Sequence, residues 1–219
     1  MKVMEMFMLT AVNTKNRGLY TSGTYLSYGL SGIAVVGLIS QGRLSLEDGK
    51  LIVKDQSGTG DELMDEVLQV IVDKTVPRKL NTWITLLPYR VKRLMKRVLE
   101  RLEDNGIVRI DQERFLGLIP YKKYTVTNES ERDKIVNACR KALLSGDRAP
   151  TPEIMLIISI AAACHVINRF FTTEERKNLK ETFKQLKKCT WFESGGDGTN
   201  KVVIAIQRAI AATQAAAGA

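Results

Sequence analysis

The sequence has few of the residues from which catalytic and metal sites are usually built. Its single histidine, His165, falls in the most apolar stretch, and the three widely spaced cysteines include no CxxC pair. Zinc sites and disulfide frameworks need clustered or evenly paired ligands, so neither is expected. Motifs of hydrolases, zinc proteases and dinucleotide-binding enzymes are also missing. We therefore expect a protein that is not an enzyme and that holds no metal or cofactor.

A long uninterrupted apolar run is missing as well. The longest, Ile154 to Ile167, contains Ser159 and His165 and is shorter than the roughly 20 residues that cross a bilayer. It predicts a buried core helix. Glu5 interrupts the apolar start of the chain, and no secretory type of cleavage site follows. We expect a cytoplasmic protein.

Acidic residues are outnumbered, since 24 Asp and Glu oppose 33 Lys and Arg and leave a net charge of +9. Such a surplus favours polyanionic partners, which include nucleic acid, anionic lipid and phosphorylated ligands. With 44% hydrophobic residues in 219, the chain can form one packed core. We expect a single domain over residues 1–210 and a low-complexity, alanine-rich tail over residues 211–219.

The residue pattern predicts a mainly α fold with one or two β-hairpins. The apolar stretch Tyr25 to Ile39 predicts a buried helix whose glycines allow close approach of its neighbours. Alternating apolar and polar residues on both sides of Asp48-Gly49 predict a tight hairpin. From residue 129 onward the chain looks helical, with Thr151 and Pro152 introducing the apolar core helix.

An acidic stretch after the first hairpin has two interpretations. Asp61 or Thr59 can cap a following helix, and Asp61, Asp65 and Glu66 could instead form a metal or acid–base cluster. No histidine or further carboxylate cluster supports a metal, and acidic residues favour the first turn of a helix. We favour the structural interpretation.

The strongest local signal is a basic segment that follows a short helix, which begins at Thr82 and is broken at Pro88. From Tyr89 to Asn105-Gly106 the pattern predicts one amphipathic helix with cations on both sides of its apolar stripe. A strand, an apolar turn and a second strand come next. The apolar residues at that turn either pack on the core, which is the commoner explanation, or contact a partner or a membrane.

A basic helix before a hairpin also matches a winged-helix nucleic-acid binder. However, the helix has no Asn, Gln, Ser or Thr between Tyr89 and Leu102, and these residue types accompany arginine in base readout. A surface that contacts phosphate backbones or lipid head groups therefore fits better than a sequence reader.

Three motifs together resemble the Golgi phosphoprotein 3 family: GLSGIAVVGLISQGRLSL from Gly29, TGDELMDEVL from Thr59 and RVLERLEDNGIV from Arg97. The similarity covers nearly the whole chain and suggests a divergent or prokaryotic-type member. It implies a single globular domain, mainly α, with a central helical core ringed by amphipathic helices and a protruding β-hairpin. Eukaryotic members are peripheral membrane proteins that bind phosphatidylinositol 4-phosphate and the cytoplasmic tails of Golgi glycosyltransferases.

The resemblance implies functional residues at two places. The hairpin of the family takes part in self-association and membrane contact, and its tip corresponds to Phe115, Leu116, Gly117 and Leu118. The lipid-binding arginines of the family fall on Ser31, Lys92 and Met95, and its tryptophan falls near Ser22 and Gly23. These departures count against specific recognition of the 4-phosphate, since arginine can donate two hydrogen bonds to one phosphate whereas lysine provides a single point charge.

We therefore expect a non-enzymatic peripheral membrane or adaptor protein, cytoplasmic and on the Golgi face if eukaryotic. Its expected partners are anionic lipid, phosphoinositides among them, protein clients, and a second copy bound through the hairpin. A winged-helix nucleic-acid binder and a protein-interaction module centred on the hairpin are the alternatives. The residues expected to contact lipid head groups are Lys92, Arg93, Lys96 and Arg97.

Overall fold

The computed structural model describes residues 1–116, 118–144, 150–187 and 198–218, with backbone alone for Phe115 and residues 185–187. In chain order the described elements are α1 (Val3–Ala11), β1 (Val12–Asn13), β2 (Gly18–Leu19), α2 (Gly23–Ser40), β3 (Leu44–Glu47), β4 (Lys50–Val53), α3 (Glu62–Val72), α4 (Leu80–Arg90), α5 (Leu94–Asp104), β5 (Val108–Phe115), β6 (Ile119–Val126), α6 (Glu129–Leu144), α7 (Pro152–Ala163), a 3-10 turn (Ile167–Phe170), α8 (Thr173–Asn178), α9 (Lys180–Lys187) and α10 (Thr199–Ala217).

Helix α2 runs through the centre of the core, packed against α1, α4, α7 and α10. Its N-terminus is capped by Ser22, whose hydroxyl accepts a hydrogen bond from the Tyr25 N–H. By length and composition α2 could cross a membrane, but 61% of it is buried by the rest of the protein. The strands form three antiparallel pairs, β1–β2, β3–β4 and β5–β6. The predicted single, mainly α domain with small hairpins is confirmed.

Glycines let the neighbouring helices approach α2 closely, as its sequence predicts. A Cβ atom at Gly32 would lie 2.5 Å from Cδ1 of Ile206 on α10. One at Gly29 would lie 2.9 Å from Sγ of Cys164 and 2.9 Å from Cγ2 of Ile160. These distances are too short for real contacts. The packing of α7 and α10 on α2 therefore requires glycine, which has no side chain, at positions 29 and 32.

The turn of the first hairpin and the cap of helix α3 are also as the sequence predicts. Asp48 and Gly49 adopt positive φ angles of 47° and 74° in the two-residue turn between β3 and β4. Asp61 caps α3 by accepting a hydrogen bond from the Leu63 N–H at 2.9 Å. Likewise, Thr151 caps α7 with Pro152 in its first turn.

The predicted single basic helix is wrong, because the structure divides it differently. Helix α4 continues through Pro88 and ends at Arg90, and α5 begins only at Leu94. Between them the backbone is extended at Val91 and left-handed at Arg93, where φ is 60°. Val91 is fully buried, so the break is held by core packing.

Toward the C-terminus the helices are shorter than the sequence suggests. The apolar helix ends at Ala163, and His165 follows it in the left-handed region, with φ of 62°. Leu179 separates α8 from α9. Cys189 lies outside the described residues. Helix α10 extends to Ala217, and the expected boundary at residue 210 stays a prediction.

Candidate functional site

The tip of the β5–β6 hairpin projects from the protein with its apolar side chains exposed. Leu116 is 81% exposed, Leu118 is 82% exposed and Ile119 is 64% exposed. Packing of these residues on the core, the explanation favoured from sequence, is therefore wrong. Gly117 and the side chain of Phe115 lie outside the described residues.

The base of this hairpin is fixed to the core. Val108, Tyr124 and Val126 are buried. The Tyr124 N–H donates to the carbonyl of Arg17 at 2.6 Å, which attaches β6 to the small β1–β2 pair. The guanidinium of Arg17 forms an ion pair with Asp111 on β5 at 2.7 Å. An anchored base and an exposed apolar tip make this hairpin an arm that offers Leu116, Leu118 and Ile119 for contact.

The break between α4 and α5 brings a second group of exposed side chains together. We call Tyr89, Arg90, Lys92 and Arg93 the junction surface. Tyr89 is 76% exposed, and the three cations are also exposed. Among the described residues, no ion pair involves Arg90, Lys92 or Arg93.

Sequence reasoning included Lys92 and Arg93 but missed Tyr89 as a member of this surface. The amphipathic pattern predicts one continuous helix from Tyr89, and in such a helix the tyrosine is not set apart as part of a separate surface. An exposed tyrosine beside cations is a signal that could have identified it, because tyrosine often sits where apolar and aqueous surroundings meet.

The other two predicted lipid contacts have carboxylate partners. Arg97 forms ion pairs with both Glu62, at 2.6 Å, and Glu66 on α3. These carboxylates raise the pKa of Arg97, and the largest cause is the hydrogen bond that Arg97 donates to Glu66. Lys96 lies 2.8 Å from Glu100, one turn further along α5. Within the described residues, Lys92 and Arg93 therefore form no ion pair, whereas Lys96 and Arg97 have carboxylate partners.

The acidic motif joins α3 to α5. The Asp61 carboxylate accepts two hydrogen bonds from Arg101, at 2.9 and 3.2 Å, and lies 3.0 Å from Nζ of Lys2. Asp65 accepts from both the N–H and the hydroxyl of Thr59, each at 2.6 Å. With Glu62 and Glu66 on Arg97, these acidic residues have structural partners, as the interpretation favoured from sequence expects.

Burial of the Asp61 carboxylate, which is 7% exposed, raises its pKa. The hydrogen bonds from Arg101, Lys2 and the Leu63 N–H act in the opposite direction and together outweigh burial. As a result the pKa falls from 3.8 to about 2. Asp61 is ionised at neutral pH and cannot serve as a proton donor there.

The positions that the resemblance assigns to the lipid pocket do not form an anion site. Met95 contacts the start of α2, where a Cβ atom on Gly23 would be 3.3 Å from the Met95 Cε. Ser31 is fully buried and donates its hydroxyl hydrogen to the carbonyl of Ser27 at 3.0 Å. Of these positions, Lys92 alone offers an exposed cation.

A cavity of about 660 Å³ lies elsewhere in the described part of the chain. It is lined mainly by apolar side chains of α2, α3 and α7, including Ile33, Met64 and Met155. No residue of the junction surface lines it.

One comparison with known proteins gives a match over almost the full length. The model of the Golgi phosphoprotein 3 (GPP34) family matches residues 3–213. This range includes the hairpin, the junction surface and the acidic motif.

Proposed function

Because the chain belongs to the Golgi phosphoprotein 3 family, we propose that it is a peripheral membrane protein that contacts anionic phospholipid head groups through the junction surface. Family membership supports a lipid-binding or adaptor role in general, and the family is not known as an enzyme family. We propose a non-enzymatic role, in the cytoplasm and at the Golgi face of the membrane if the organism is eukaryotic.

The observation that carries the proposal is the pair of exposed cations Lys92 and Arg93, which form no ion pair in the described part of the chain. A basic residue near an anionic membrane surface contributes about 1 kcal/mol of binding free energy. Arg90 adds a third charge within a few residues. Cations that are already paired would first have to leave their partners, which reduces their contribution.

We assign a different role to the rest of the predicted set. Arg97 is balanced by Glu62 and Glu66, and Lys96 is balanced by Glu100, so neither adds net positive charge and both form few direct head-group contacts. Tyr89 supplies an exposed aromatic side chain to the junction surface. An exposed tyrosine beside cations suits the interface between head groups and acyl chains.

The hairpin tip gives the proposal its apolar component. Leu116, Leu118 and Ile119 are exposed at the end of this hairpin, which suits shallow insertion between lipids or contact with a second copy or a client protein. We propose attraction to several kinds of anionic lipid, phosphoinositides included, because the Lys92 ammonium is a point charge and cannot form the bidentate hydrogen bonds with phosphate that arginine forms.

Vesicle flotation at low salt tests this proposal with neutral, acidic and phosphoinositide-containing vesicles. The variant Lys92→Ala/Arg93→Ala should lose roughly tenfold or more in affinity for acidic vesicles, because it lacks two charges of about 1 kcal/mol each. The control Lys177→Ala/Lys180→Ala removes two other exposed lysines and should bind as the unmodified protein does.

Failure to bind any anionic vesicle at low salt would refute the proposal. In that case, DNA affinity that falls steeply with salt would favour the winged-helix alternative. Arg97 and Arg101 face carboxylates of α3, which leaves α5 with few free arginines for a groove of DNA.

A further inference from the structure

A second basic cluster lies at the other end of α4 from the junction surface. It surrounds a pocket of about 270 Å³ that we call the α4–α10 pocket, lined by Leu46, Asp48, Gly49, Lys79, Leu80, Asn81, Lys201, Ile204 and Arg208. Helix α4 has 11 residues, so the two basic surfaces are separated by roughly 16 Å along the helix axis. The lipid-binding proposal involves none of these residues, and Leu46 is the one lining residue that belongs to a family motif.

The lining of the pocket includes three cationic side chains and one acidic side chain. Lys79 precedes α4, Lys201 and Arg208 belong to α10, and Asp48 is the single acidic residue of the lining. All four are exposed, and the described residues include no ion pair with any of the three cations. Placing like charges together without counter-charges costs free energy and creates a positive potential suited to an anion.

The backbone holds these side chains in place. Lys79 forms an isolated antiparallel bridge with Lys50 of the first hairpin. The Leu80 N–H donates to the carbonyl of Gly49 at 2.9 Å, and the Leu51 N–H donates to that of Arg78 at 3.1 Å. The hairpin turn therefore cannot move independently of the start of α4.

The α10 side of the pocket is equally well defined. Lys201, Ile204 and Arg208 are spaced by three and four residues and so share one face of the helix. The opposite face is anchored in the core, where Val202, Val203 and Ile206 are buried. The two cations of α10 consequently keep a fixed spacing on a rigid support.

We infer that the α4–α10 pocket binds the phosphate group of a small soluble molecule. A small concave pocket suits a compact anion better than an extended acidic peptide or a flat membrane surface. Arg208 can donate two parallel hydrogen bonds to phosphate, while Lys79 and Lys201 supply point charges. The start of α4 borders the pocket, and the positive end of the helix dipole there favours an anion.

Calorimetric titration with pyrophosphate at low salt tests the inference. Lys201→Gln/Arg208→Gln should weaken pyrophosphate binding by about tenfold or more, because charge-assisted hydrogen bonds are the strongest contacts available there. Lys92→Gln/Arg93→Gln removes the same number of exposed cations at the junction surface and should leave the pyrophosphate affinity unchanged. Thermal unfolding of both variants checks that each remains folded.

Three results would overturn the inference: no pyrophosphate binding by the unmodified protein, no effect of Lys201→Gln/Arg208→Gln, or equal losses in the two variants, which would indicate diffuse attraction to net charge. Vesicles that contain phosphatidic acid provide the second arm. If Lys201→Gln/Arg208→Gln weakens vesicle binding and leaves pyrophosphate binding intact, the pocket serves a lipid surface and the inference is wrong. Failure of the lipid proposal at Lys92 and Arg93 would leave this outcome unaffected.

Discussion

At the scale of single residues, Asp61 connects more of the structure than any other side chain of the acidic motif. It caps α3, receives two hydrogen bonds from Arg101 on α5 and pairs with Lys2 before α1. A buried carboxylate with these partners stabilises the fold only while it is ionised. Its effect on stability should therefore depend on pH in a predictable direction.

We predict that Asp61→Asn lowers the free energy of unfolding by roughly 2 kcal/mol at pH 7, because the variant loses the ionised partner of Arg101 and Lys2. The pKa of Asp61 is lowered on folding, from 3.8 to about 2. The stabilising contribution of the Asp61 carboxylate is therefore complete above the pKa of the unfolded chain, 3.8. It is lost as the pH falls through the pKa of the folded protein, about 2. Urea unfolding at a series of pH values should show the two proteins converging over that window. A constant difference down to the lowest pH would contradict this account.

The sequence around Asp61 predicts the cap but not its partners. Capping is local, since the acceptor and the Leu63 N–H are two residues apart, and residue type alone identifies it. Arg101 is 40 residues away and Lys2 is 59 residues away in sequence, so their contacts depend on how α1, α3 and α5 pack. For the same reason, no local pattern distinguishes Arg97, which has partners, from Arg93, which has none in the described part of the chain.

At the scale of secondary-structure elements, the break between α4 and α5 determines which cations are free. The apolar spacing from Val91 to Leu102 is consistent with one helix, and Pro88 was the expected point of interruption. Pro88 instead falls in the last turn of α4, and the chain turns at Val91 to Arg93 without a glycine or proline. Burial of Val91 and Leu94 fixes that turn, and such a tertiary contact leaves no local signal in the sequence.

The packing of α2 on α10 gives a prediction at the same scale. Gly32→Ala should destabilise the protein by about 1 to 3 kcal/mol, because the new methyl group would clash with Ile206 and Val202 in a filled core. The control is Gly37→Ala in the same helix, where the nearest atom is the flexible end of Met64 at 2.8 Å. There the gain in helix propensity, about 1 kcal/mol, should offset any strain. Equal effects of the two substitutions on denaturant midpoints would show that α2 and α10 do not pack as described.

The hairpin is the element whose apolar tip should act in binding and not in folding. Leu118→Asp should change the free energy of unfolding by less than about 0.5 kcal/mol, because Leu118 is 82% exposed. Vesicle binding or self-association should nevertheless weaken, since a charge replaces the exposed apolar contact. Val76→Asp serves as the matched control, because Val76 is also apolar and 69% exposed but lies between α3 and α4. Sedimentation and flotation with both variants distinguish contact through the tip from a general effect of added negative charge.

At the scale of the whole molecule, the cations behind the net charge of +9 are not all available to a partner. Many cations are paired with carboxylates, as Arg97, Arg101 and Arg140 are, and these pairs stabilise local structure. The junction surface and the α4–α10 pocket keep cations without such partners in the described part of the chain. Composition predicts an anionic partner for the protein as a whole, and the fold decides where such a partner can bind.

The contrast between paired and unpaired cations in the described part of the chain predicts how membrane binding responds to salt. Vesicle affinity of the unmodified protein should fall as ionic strength rises, because the Debye length shortens from about 30 Å at 0.01 M to about 10 Å at 0.1 M. Lys92→Ala/Arg93→Ala should show a weaker dependence on salt, since it lacks the exposed charges that salt screens. Leu118→Asp should lower affinity at each salt concentration and keep a marked dependence on salt, because the junction cations remain. If Lys92→Ala/Arg93→Ala retains the full salt dependence, the attraction arises from net charge and the junction surface is not the membrane contact.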